Sequence, residues 1–160
     1  MKNTLKLIVF IILTGCSSGN SISPSAPLPV ESSSFFFGKT SGPNTFAPTP
    51  YNLYRISGRK LFGTFVQHIN QDSLGLYPMT ELSQEKYQIT ANLQPMLPSA
   101  IFSETKTLVG LINIDSGYDF IKVSREAGTT KFFYIGDAGV PDYLKSFKEA
   151  LDQDLSKLSN

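Results

Sequence analysis

Near the C-terminus, Leu144, Phe147, Leu151, Leu155 and Leu158 recur at spacings of 3, 4, 4 and 3. At 3.6 residues per turn this series traces one apolar stripe along a helix. Pro141 suits the first helical position, and Lys145, Lys148, Glu149, Asp152 and Lys157 fall opposite the stripe as a solvated face. A helix of this kind is held by tertiary packing of its apolar side, so the rest of the chain must supply a sheet face for it to cover.

The upstream sequence offers such a face. Leu53 to Ser57 (LYRIS) and Leu61 to Ile69 (LFGTFVQHI) are β-type runs joined by Gly58-Arg59-Lys60, which predicts a hairpin. Gln71 to Gly75 reads as a turn. Ser83 can cap a helix, Glu85 suits its positive end, and Leu82 with Tyr87 has the spacing of a hydrophobic staple. That helix is expected to bury Ile89 and Leu93 and to stop at Gln94-Pro95, because the residue before proline avoids helical backbone. Leu108 to Ile114 and Tyr118 to Ser124 flank the turn Asp115-Ser116-Gly117, and Lys131 to Ile135 follows the loop Arg125 to Thr130. Three strands in succession form a meander most economically. The expected fold is α+β: an antiparallel sheet of about five strands, hairpin plus three-strand meander, with two helices on one face, over residues 51–160.

The first 50 residues differ in kind. Lys2 and Lys6 precede the apolar run Leu7 to Leu13, and small residues Thr14 and Gly15 lead to Cys16, the one cysteine of the chain. Charge, apolar run and small residues in that order read as an export signal over residues 1–15. A spanning helix needs about 20 apolar residues, roughly twice what Leu5 to Gly15 supplies. Ser17 to Val30 (SSGNSISPSAPLPV) is uncharged and dominated by Ser, Pro, Gly and Asn, the composition of a tether, and residues 16–50 are expected to be linker. Within it stand Phe35, Phe36 and Phe37, either a short edge strand or flap laid over the core or an anchor for a partner.

Leu13-Thr14-Gly15-Cys16 resembles the lipobox of bacterial lipoproteins, with Leu three residues before Cys and a small residue directly before it. The resemblance implies cleavage between Gly15 and Cys16 and a diacylglyceryl group, with further fatty acid such as palmitate, on Cys16. Several acyl chains, at about 0.8 kcal/mol per buried methylene, hold a protein on a bilayer where one does not. Ser17 follows the cysteine where Asp would signal inner-membrane retention, which implies the outer membrane, on its periplasmic or surface side. In a Gram-positive source the anchor would be the cell membrane.

The chain bears few groups for chemistry. A formal charge of +1, with basic residues scattered, excludes nucleic acid as an expected partner. His68 is the one histidine, so no His/Cys metal site and no cofactor is expected, and no nucleophile turn accompanies it. Asp115, Asp119 and Asp137 lie near strand ends, where Asp commonly caps its own backbone; two of them as an acid and base pair would make a small hydrolase. Gly136-Asp137-Ala138-Gly139 lacks the ending of a phosphate loop and serves as the connection into the last helix.

The order of YRISG, a short helix, YDFIKV, a Lys-Phe-Phe-Tyr strand and VPDYLKSFKEAL is similar to small emfourin-type domains, which include inhibitors of thermolysin-like metalloproteases. Gly58-Arg59-Lys60 departs from the more glycine-rich turn of that pattern, and no inhibitory residue is carried over. The reading that results is a lipid-anchored, non-enzymatic protein-interaction module of the envelope, with metalloprotease inhibition as the alternative.

Overall fold

The structure is a computed structural model and describes residues 34–40, 51–67, 69–111, 117–124 and 130–159. It has an α+β fold, and among the described residues seven strands form one mixed sheet. They are β1 (Phe35–Thr40), β2 (Tyr51–Ser57), β3 (Lys60–Val66), β4 (Thr80–Glu81), β5 (Leu108–Val109), β6 (Tyr118–Ser124) and β7 (Thr130–Ile135), in the order β4-β3-β2-β1-β6-β7-β5. Among the described residues three helices complete it: α1 (Gln84–Thr90), α2 (Leu93–Met96) and α3 (Asp142–Leu158), with 3-10 turns at Gln71–Leu76 and Ser99–Ser103.

The phenylalanine triplet is the centre of this sheet. β1 pairs antiparallel with β2 on one side and with β6 on the other, placing Phe37 opposite both Tyr54 and Ile121. Phe35 and Phe37 join the core beneath the helices, whereas Phe36 points to the other face with Leu53, Leu74 and Phe120. Three apolar residues in succession are what a strand covered on both faces requires. All three are buried, so the expectations of an edge strand, a flap or a partner anchor at Phe35, Phe36 and Phe37 give way to a central strand. For the same reason the folded part does not begin at residue 51.

Gly38 continues β1 and makes room for this packing. A Cβ there would press on the Asn52 carbonyl oxygen and come within 2.6 Å of the Phe120 ring, which lies across the position. The β2–β3 hairpin forms as expected, with Ser57 opposite Lys60 and Gly58 at φ 60°, where a two-residue turn needs a glycine.

The meander is where expectation and structure part. β6 and β7 form an antiparallel hairpin, but β5 lies outside β7 and parallel to it, and β1 takes the place beside β6. Residues 112–116, including most of the expected strand end and the turn at Asp115-Ser116, lie outside the described residues. The sheet is thus mixed and seven-stranded rather than antiparallel and five-stranded. Local pattern specifies strands, whereas the order of strands depends on pairings across long sequence separations.

All three helices contribute to the core on one face of the sheet. Ser83 caps α1 by accepting from the Lys86 backbone N–H at 3.3 Å, and Leu82 and Tyr87 pack into the same core cluster. The helix ends at Thr90 rather than at Gln94, and Pro95 sits inside the four-residue α2. A first-turn N–H has no intrahelical partner, so proline costs little there. In α3 the five stripe residues are all buried, as their spacing predicts, and Pro141 precedes the first helical residue. The opposite face of the sheet is covered in part by the turn at Gln71–Leu76, whose Leu74 is fully buried against Phe36 and Phe120.

Candidate functional site

Side chains from three parts of the fold converge on Lys148. Asp119 opens β6 on the helix-covered face, paired with Ile135 of β7. Asp137 lies just past β7, and Asp152 follows Lys148 by one turn of α3. The ammonium stands 2.9 Å from Oδ2 of Asp119, 3.4 Å from Oδ1 of Asp137 and 2.7 Å from Oδ2 of Asp152. Asp152 receives hydrogen bonds on both carboxylate oxygens, while Asp119 is held by charge, off the direction of a good hydrogen bond.

Burial decides the electrostatics. The Asp119 side chain is 0% exposed, and loss of water pushes its pKa up to about 7 against the pull of Lys148. Burial also works against the charge of Lys148, but its contacts with Asp152 and Asp119 outweigh it and raise the pKa above the ordinary lysine value. Three carboxylates around one ammonium leave a charge of −2 when all are ionised, so a proton on Asp119 relieves both its desolvation and the mutual repulsion. Beside the cluster opens a cleft of about 460 Å³ whose rim carries Asp137, Lys145, Glu149 and Asp152. Lys145 is tied to Asp142 at 2.6 Å.

Asp119 and Asp137, two of the three aspartates from which the sequence offered an acid and base pair, are therefore brought together at Lys148. Asp115, His68, Gly15 and Cys16 lie outside the described residues. Lys148 belongs to the set expected to be solvated, and the structure buries it instead. It stands four residues after Leu144 and one after Phe147, on the flank of the stripe, where its stem runs along the core and its head reaches the aspartates. An ammonium held by several carboxylates is a fastening between α3 and the sheet. Among the described residues, no group of three or more His, Cys, Asp and Glu side chains is placed to hold a metal ion.

A second feature lies at the sheet edge. β4 pairs only with Phe62 and Gly63 of β3, and the Leu82 N–H donates to the Leu61 carbonyl at 2.8 Å. Continued two residues past Gly63 and Thr80, the same register would set Pro78 opposite Phe65. Proline has no N–H to donate, so the ladder stops there. Phe65 is left 74% exposed on the edge. Next to it is a notch of about 330 Å³ walled by Tyr54, Leu82, Lys86 and Leu158, with Gly63 contributing no side chain. Nothing in the sequence distinguishes Phe65 from its buried neighbours in LFGTFV, because its exposure follows from where β4 and the helices end.

No family model matches the chain, and neither the curated proteins nor the solved structures contain a match to it.

Proposed function

We propose that this chain is a lipid-anchored protein of the bacterial envelope, held at the outer membrane through Cys16, and that it works by binding other proteins rather than by catalysis. The observation that carries the binding role is Phe65: a large aromatic exposed on the unpaired part of an edge strand, beside an apolar notch. Edge strands are normally blunted by charge or by cover, and an uncovered aromatic there suits strand addition by a partner. About 18 residues separate Cys16 from β1.

Photo-crosslinking in source-cell envelopes tests the binding role, with a crosslinker placed at Thr64 in the wild type and in Phe65→Ser. A discrete adduct in the wild type that is lost in Phe65→Ser, with an unchanged melting temperature, is the expected result. An adduct equally strong in both would remove the edge from the account. Metalloprotease inhibition is one form such binding can take, and adducts with a protease would identify it.

A further inference from the structure

On the sheet face opposite the helices lies a groove of about 980 Å³, distinct from the β3 edge. One wall is the turn at Gln71–Leu76 and the other is the segment leading into β5, with β6 and β7 as floor. Its volume falls in the range of ligand sites, about 300–1,000 Å³.

Its lining has a definite chemical character. Ser103, Thr105, Thr107, Ser124 and Thr130 line it, and the hydroxyls of Ser124 and Thr130 hydrogen-bond each other at 2.9 Å. The ring of Phe132 lines it as well, backed by Phe120 in a parallel stack with centroids 5.9 Å apart. Hydroxyl groups that both donate and accept, next to a rigid aromatic ring, suit a polyhydroxylated ligand with an apolar face.

Three lysines add a charge requirement. Lys122 donates to the Gln71 carbonyl at 2.8 Å, and Lys131 donates to the carbonyls of Phe102 and Glu104 at 2.6 and 2.8 Å. An ammonium carries three donors, so among the described residues these contacts exhaust neither lysine, and Lys106 is exposed at the rim. The opposing carboxylates are Asp72 and Glu104, and Glu104 is engaged by the Tyr143 hydroxyl at 2.5 Å. Positive charge is therefore in excess where the hydroxyls converge.

We propose that this groove binds an anionic saccharide, its sugar hydroxyls meeting the Ser and Thr side chains and its carboxylate or phosphate meeting Lys106 and Lys122. The reading is independent of the β3 edge, on which it places no requirement.

Isothermal titration of the full lipidated chain in detergent tests it with four probes: trigalacturonate, phosphorylated maltotriose, neutral maltotriose and tripolyphosphate. At least one of the two anionic sugars is expected to bind about tenfold or more tighter than maltotriose and than tripolyphosphate, and which one does so separates carboxylate from phosphate recognition. Lys106→Gln, at an exposed position, is expected to weaken that binding severalfold without moving the melting temperature, and Lys122→Gln to weaken it further. Equal binding of maltotriose removes the charge requirement, and equal binding of tripolyphosphate removes the saccharide. Absence of saturable binding by every probe, or unchanged affinity in both lysine variants, overturns the proposal.

Discussion

The ammonium of Lys148 lies 2.9 Å from Oδ2 of Asp119, joining the middle of the C-terminal helix to the start of the sixth strand. Both partners are buried, so the pair is sensitive to the loss of either member.

Lys148→Met leaves Asp119 without a counter-charge, and the expected loss is about 3–5 kcal/mol in urea unfolding at pH 8. At pH 5 the loss should be smaller, because Asp119 then takes up a proton instead of remaining as an unpaired buried charge. A loss of equal size at both pH values would show that the lysine acts by packing alone.

The native pKa of Asp119, about 7, is raised above its ordinary 3.8. The folded chain thus retains a proton that the unfolded chain releases. The stabilisation from this group is complete below about pH 4 and is lost as pH rises through 7, at up to about 1.4 kcal/mol per pH unit in that window. Asp119→Asn should flatten the part of the stability profile between these limits, measured by denaturation midpoints at matched ionic strength. Lys148 and the other two aspartates that it contacts, Asp137 and Asp152, remain in both proteins, so the difference between the two profiles isolates Asp119.

Gly38→Ala should destabilise by about 3 kcal/mol or more, since the added methyl meets a backbone oxygen of the neighbouring strand as well as the Phe120 ring. Thermal unfolding of the variant checks it, and a change within about 0.5 kcal/mol, the range of an ordinary surface substitution, would mean that β1 is not pinned at this position.

Phe37→Ala and Phe65→Ala remove the same side chain from opposite environments. The first, fully buried and stacked on Phe35 and Tyr54, should cost about 3–5 kcal/mol. The second should stay within about 0.5 kcal/mol. Paired denaturation curves distinguish them, and similar costs for both would contradict the assignment of core and edge.

The parts of this fold that could be read from sequence are those specified locally. The stripe from Leu144 to Leu158 defines the last helix at any position in the fold, and Ser57-Gly58 with alternating flanks defines a hairpin wherever it packs. The central strand escaped because its meaning is non-local: Phe35–Thr40 pairs with Tyr118–Ser124, some 80 residues away, and only that pairing turns an apparent linker into the middle of a sheet. The strand at Leu108–Val109 was expected, but its place at the sheet edge and its parallel pairing escaped for the same reason. At the charge cluster, Asp119 and Asp137 stood out as carboxylates near strand ends, but a helical wheel assigns Lys148 to water. What buries Lys148 is the presence of aspartates on two other elements, which the helix pattern does not contain. The groove likewise depends on segments distant in sequence, Gln71–Leu76 and 103–107, meeting over one face.

The central claim, that Cys16 anchors this domain to a membrane, is tested most directly by mass spectrometry of the N-terminal peptide of the protein isolated from source-cell membranes. The account predicts a peptide that begins at Cys16, carries a thioether-linked diacylglyceryl group and lacks residues 1–15. A mature protein whose peptide spans Leu13 to Ser18 with an unmodified thiol would contradict it.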